Sequence, residues 1–150
     1  MNAVALDTSV VVAALLGAHE HHEAARRTVD DALARPGGTI LPAPVLFEAY
    51  AVLTRLPPPW RLRVDVAEGL LRDTFDGHAI VVSLPDDAVW SVVRNLAQRG
   101  LVGGIAHDAH VAACAQAAGA RALATLNRRD FARLDLGAMD LVVPGTNGPR

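Results

Sequence analysis

Apolar residues return along this chain in two rhythms. Short apolar or β-branched runs alternate with longer stretches whose apolar positions recur every three or four residues, the periods of buried strands and amphipathic helices. Residues 3–6 read as a buried strand ending at Asp7, after which Thr8 or Ser9 can cap a helix running to Leu16. A second helix is expected over residues 20–34, stopped by Pro36-Gly37-Gly38 ahead of a strand at 39–41. Pro44 then sits near the first turn of a helix that runs to Thr54 and ends before Pro57-Pro58-Pro59. Residues 61–74 repeat the helical pattern, and a turn at Asp76-Gly77 leads into a β-branched strand at 80–84. A helix from Asp86 or Asp87 to about Arg99 follows, then a flexible loop at 100–104 and a compact helix at 105–118. Strands at 121–125 and 141–143 complete the pattern, and the tail from Pro144 is expected to fray.

Strands alternating with helices predict an α/β fold, a three-layer α/β/α sandwich around a mostly parallel sheet. No repeat or linker divides the 150 residues, so a single domain over 1–150 is expected, with 144–150 as a tail. In such sheets binding sites form beyond the carboxyl ends of the strands, and Asp7 stands at that end of the first one.

Composition narrows function more than fold. With 51% hydrophobic residues the chain can build a substantial core, which excludes a disordered protein. No apolar run reaches the roughly 18 residues of a membrane span. The opening residues also lack a basic leader, so a cytoplasmic location is the expectation. Cys114 is the only cysteine, which excludes an internal disulfide and a Cys-based zinc site and suits a buried packing role. All 14 basic residues are arginine, and the net charge is −2, unlike a protein that coats nucleic acid nonspecifically. Any nucleic-acid contact must therefore be local. The arginine groups at Arg26 and Arg27, at Arg61 and Arg63, and at Arg128, Arg129 and Arg133 read first as solvated helix faces.

Three acids stand out by isolation. Asp7 is the only charged residue up to Ala18, Glu48 the only one between Arg35 and Arg55, and Asp108 the only one between Arg99 and Arg121. A carboxylate buried without a partner costs several kcal/mol, and these have no basic neighbour along the chain. Any one of them could be a helix cap. Three together, each at or in a helix that follows a strand, point to one shared rim and a cation. Clustered carboxylates without cysteine suit Mg²⁺ or Mn²⁺, which prefer oxygen, and such ions support phosphodiester hydrolysis by activated water. His107 and His110 flank Asp108 but share a helix face that Asp108 does not. His19, His21 and His22, with Glu20 and Glu23 interleaved, read as surface or groove residues.

These residues fall in order within longer motifs. They are Leu-Asp-Thr-Ser-Val at 6–10, Pro-Ala-Pro-Val-Leu-Phe-Glu-Ala at 42–49, Asp-Ala-His-Val-Ala-Ala at 108–113 and Ala-Thr-Leu-Asn-Arg-Arg-Asp-Phe at 124–131. In these marks and their spacing, over nearly its whole length, the chain resembles the PIN-domain ribonucleases, specifically the VapC toxins of type II toxin–antitoxin pairs. The resemblance implies that Asp7, Glu48 and Asp108 bind the metal, with Thr8 or Ser9 as a polar neighbour and Thr125 and Arg128 near the site. Many relatives carry a fourth acid two residues after the threonine, where this chain has Asn127. Asn127 can ligate or orient water but carries no charge. Asp130, three residues on, is the substitute candidate. The resemblance further implies an RNA substrate, a homodimer, and a small VapB-like antitoxin covering the site, for which the low-charge helix around residues 45–53 offers an apolar groove.

Other enzymes that begin with a strand-end acid do not fit. A haloacid-dehalogenase-like phosphatase needs a second Asp where Ser9 stands, and a receiver domain needs a lysine. A P-loop enzyme needs Gly-Lys, and a dinucleotide-binding fold needs Gly-x-Gly-x-x-Gly. Two alternatives stay open: a non-catalytic RNA- or partner-binding module on the same fold, and a DNA- or structure-specific nuclease.

Overall fold

The computed structural model describes residues 2–146. Its elements, in chain order, are β1 (Val4–Leu6), α1 (Thr8–Leu15), α2 (His22–Leu33), β2 (Thr39–Pro42), α3 (Ala43–Arg55) and α4 (Val64–Phe75). Then come β3 (Ile80–Val82), α5 (Asp86–Gln98), α6 (Ile105–Ala117), β4 (Ala122–Ala124), α7 (Arg128–Phe131) and β5 (Asp140–Val142). Every expected strand and helix is present, with ends displaced by no more than three residues, and α7 is an additional short turn of helix.

The five strands form one sheet in the order β3-β2-β1-β4-β5, all parallel. This is the α/β/α arrangement that the alternating pattern predicts. The central strands are short and apolar because helices cover both their faces. Ala5, Leu6, Leu41, Leu123 and Ala124 are fully buried, whereas Ile80 and Val81 on the edge strand β3 are exposed. Around the sheet, α1 packs on α2 and α3, α3 on α4, and α6 on α5 and α7. Val10, Val11, Val45, Leu53, Phe75 and Phe131 bring these helices into one core.

The strand order has a functional consequence. From β1 the chain moves outward to β2 and β3, then crosses back to place β4 on the other side of β1 and β5 beyond it. The order therefore reverses between β1 and β4, and a crevice opens at their carboxyl ends. Asp7 directly follows β1, and Thr125 directly follows β4.

Two local features correct the sequence reading. Asp7, rather than Thr8 or Ser9, occupies the cap position of α1, in extended backbone conformation. Its carbonyl accepts the first helical bonds from Val10 and Val11, both at 3.1 Å, but its carboxylate makes no capping bond. The helix α2 begins at His22 rather than Glu20 because residues 19–21 form a turn, with the His19 N–H bonded to the Leu16 carbonyl at 2.9 Å.

At the other end of α2, Gly38 is required by space. A Cβ there would lie 2.7 Å from the Ala32 carbonyl oxygen, so no side chain fits where the chain enters β2. Pro144 is buried and Thr146 turns back onto the Val143 carbonyl, so the fraying expected from Pro144 does not begin there. The remainder of that tail, 147–150, lies outside the described residues.

Candidate active site

Asp7 is the buried centre of the crevice, only 6% exposed. Its Oδ2 accepts two hydroxyls at 2.8 Å, from Ser9 at the start of α1 and from Thr125 at the end of β4. The proton directions follow from the neighbours. The Leu126 N–H donates to Ser9 Oγ at 3.0 Å, and the Asn127 N–H donates to Thr125 Oγ1 at 2.9 Å. Each hydroxyl, already accepting from a backbone N–H, is free to give its own hydrogen to the carboxylate. The loop after β4 is thus folded around Asp7, and both hydroxyls converge on one oxygen. Among the described residues no side chain donates to Oδ1.

Burial pushes the Asp7 carboxyl above its ordinary range. The Ser9 and Thr125 hydroxyls oppose the shift without cancelling it, and repulsion from Glu48 adds to it. Glu48 projects from the second turn of α3, beyond β2, and is exposed. Thr8 Oγ1 donates to Glu48 Oε2 at 3.0 Å, tying that acid to the start of α1. Thr8 and Ser9 therefore divide the work, one hydroxyl for each carboxylate.

Asp108 lies in the first turn of α6 and is partly buried. Its carboxyl is pushed up to about 6, first by burial and then by repulsion from Asp7, Asp130 and Glu48, with slight relief from His107. Asp7, Glu48 and Asp108 line one groove of about 470 Å³ with Thr8, Ser9 and Asn127. None of the three acids has an arginine ion-pair partner among the described residues. The three acids singled out by isolation in sequence are brought to one groove, and none of the described arginines compensates them.

The fourth position resolves into a pair. Asn127 Nδ2 donates to Asp130 Oδ2 at 2.9 Å, so these side chains meet as the three-residue spacing implied. Asp130 does not line the groove, but its charge reaches Asp108. Arg128 is exposed and also lies outside the lining, so the structure does not bring it to the acids. His107 and His110 stay out of the groove as well. By contrast His19, Glu20 and His21 line it, from the loop joining α1 to α2. Their only sequence signal was local clustering, which does not say where a loop will fold.

The acids surround the groove without touching. Among the described residues no three His, Cys, Asp or Glu side chains stand close enough to hold an ion directly. The three acids spread around the groove offer oxygen donors, which suit a hard divalent cation that keeps several of its waters.

A family model for the PIN domain matches residues 4–136. The chain belongs to the PIN-domain family. Within that family it is 39% identical over 120 residues to Ribonuclease VapC40 of Mycobacterium tuberculosis, an alignment covering 80% of this chain and 84% of the relative. Among solved structures it resembles VapC20 of M. tuberculosis, described as a sarcin-ricin loop cleaving toxin. The TM-score is 0.64 at 18% identity, over 81% of this chain and 87% of the other. It also resembles VapBC2 from Rickettsia felis bound to a promoter DNA fragment, with TM-score 0.67 at 19% identity, over 93% and 97% of the two chains. At such identities the structural matches show that this PIN domain shares their fold.

Proposed function

We propose that this PIN domain is the toxin of a type II toxin–antitoxin pair, an endoribonuclease whose site is the groove of Asp7, Glu48 and Asp108. The observation that carries the reading is the gathering of three carboxylates without an ion-pair partner among the described residues, from the end of β1, from α3 and from α6, at the point where the strand order reverses. The 39% identity to a named VapC ribonuclease supports the same reading. PIN-domain ribonucleases use divalent metal, and the oxygen-only donor set favours Mg²⁺ or Mn²⁺.

A bound ion of that kind supplies Lewis-acid activation of water and neutralises charge on the phosphate under attack. The chain's own residues do the rest. Ser9 and Thr125 hold Asp7 in one orientation and leave Oδ1 open. Thr8 fixes Glu48, and Asp108, its carboxyl pushed up to about 6, offers a carboxylate whose charged form a nearby cation would favour. Asn127 steadies Asp130, whose negative field extends the site without entering the groove.

The partner of this reading is a VapB-like antitoxin. An apolar cleft of about 330 Å³ between α3 and α4 is lined by Leu46, Tyr50, Leu71, Phe75 and Val81, with Arg72 ion-paired at its rim. It suits the apolar face of an antitoxin helix. A second copy of the chain fits elsewhere, on the face of α5 where Val89, Trp90 and Val93 are all exposed and none of the described residues covers them. Among the described residues no helix is long and apolar enough to cross a membrane.

Expression in a bacterial host tests the proposal. Growth arrest should follow induction of the wild-type chain and be relieved by Asp7→Asn or by co-expression of the cognate antitoxin. Arrest by Asp7→Asn as strong as by wild type would favour the non-catalytic module instead.

A further inference from the structure

The carboxylates leave part of the groove unexplained. Four acidic side chains line it, Asp7, Glu20, Glu48 and Asp108, and none of the described arginines does. A nucleic-acid phosphate entering there meets negative charge and needs hydrogen-bond donors besides any bound cation. The donors near the acids are largely committed. Thr8 donates to Glu48, Ser9 donates to Asp7, and Asn127 spends one amide hydrogen on Asp130.

The loop between α1 and α2 supplies a separate wall carrying His19 and His21, whose rings lie 5.7 Å apart. His21 is turned to Glu20, at 3.5 Å, and is more than half exposed. His19 is different. It is partly buried, and its Nδ1 accepts the His21 backbone N–H at 3.0 Å. Because an N–H can only donate, Nδ1 carries no proton, and the neutral ring must hold its hydrogen on Nε2. Nε2–H is then the free donor of a ring whose tautomer the backbone has chosen.

The loop that carries this ring is itself held. His22 Nδ1 is bonded to the Ala13 carbonyl at 2.8 Å, and the His22 N–H to the His19 carbonyl at 3.0 Å. His19 is therefore positioned before any ligand arrives, which lowers the ordering cost of a contact.

We propose that His19 is an RNA-phosphate contact of this groove, donating from Nε2 to a backbone phosphate oxygen of the strand held at the carboxylates. Naming RNA as the ligand rests on the nuclease reading above. The contact is sequence-independent and sets affinity rather than chemistry. A hydrogen bond to a charged oxygen, lost without replacement, corresponds to a roughly tenfold or larger fall in affinity.

The test is anisotropy of a fluorescein-labelled single-stranded RNA, read alongside cleavage of the same RNA, for wild type, His19→Phe and His19→Gln. Phenylalanine keeps the ring shape without a donor, and glutamine restores an N–H near the Nε2 position. His19→Phe should weaken binding about tenfold and raise KM with kcat little changed. His19→Gln should return to within about threefold of wild type. Wild-type affinity in His19→Phe overturns the proposal, as does equal loss in both variants, which would mean that the ring only braces the loop. Wild-type protein that binds no RNA also overturns it. Binding without cleavage would instead remove the nuclease reading and leave the His19 contact standing, so the two failures are distinguishable.

Discussion

Replacing Asp108 by asparagine preserves the shape of the site and removes one charge, which should make the metal-free protein more stable. The Asp108 carboxyl rises from 3.8 to about 6 on folding, through burial first and the fields of Asp7, Asp130 and Glu48 next. At about 1.4 kcal/mol per tenfold change in acidity, that is a penalty of about 3 kcal/mol on the charged form above pH 6. Asp108 is partly open to water, and screening reduces the penalty to about 1–2 kcal/mol. Against it stands the place of Asp108 in the first turn of α6, where a negative charge gains about 0.3–1 kcal/mol from the helix dipole. The penalty of burial and repulsion wins by about 1 kcal/mol, equivalent to a rise of roughly 2–4 °C in Tm for a domain of this size. Thermal unfolding in EDTA at pH 7.5 reads this directly. Millimolar Mg²⁺ or Mn²⁺ should then stabilise wild type and leave Asp108→Asn unmoved. A variant equal to or less stable than wild type in EDTA would refute the reasoning, because the acids would then be compensated by the protein alone.

The same groups set a pH dependence. Asp7 and Asp108 are both raised above 3.8, so the folded chain holds more protons than the unfolded one as pH rises above about 4, Asp108 doing so up to about pH 6. Their contribution to stability is therefore greatest at the acid end and falls as pH rises through 6. Urea midpoints in EDTA, taken as the difference between wild type and Asp108→Asn, should show the variant's advantage vanish near pH 4. Thr125→Val removes a buried donor to Asp7 and the acceptor of the Asn127 N–H, and should cost about 1–3 kcal/mol in urea denaturation while weakening divalent binding measured by calorimetry. Trp90→Glu places a charge on the exposed face of α5 and should shift the chain toward monomer in analytical ultracentrifugation without altering its circular dichroism.

The fold was legible because its signals were strong and local. The short, largely apolar stretches at 39–41 and 121–125 are strands, and Pro36-Gly37-Gly38 and Pro57-Pro58-Pro59 marked real breaks. Strand ends were less legible because ladder pairing, not propensity, decides where a strand stops. Leu84 fits the strand pattern but lies beyond β3, which ends with Val82 opposite Pro42. For the candidate site, the isolation of Asp7, Glu48 and Asp108 in apolar sequence was the signal that singled them out, and the structure places all three on one groove. The bland alternative for Asp7, a capping carboxylate, fails because its side chain turns to Ser9 and Thr125. The histidine loop could not be placed the same way. Whether residues 19–21 continue α2 or turn into the groove depends on bonds to Leu16 and Ala13 that spacing alone does not encode.

Cleavage of a labelled single-stranded RNA by the purified chain, free of antitoxin, tests the central claim most directly. Products should accumulate with Mn²⁺ or Mg²⁺, stop on addition of EDTA, and fall by roughly a hundredfold or more in Asp7→Asn prepared in parallel. Cleavage that is indifferent to EDTA and persists in Asp7→Asn would contradict the claim that this groove of carboxylates is the catalytic centre.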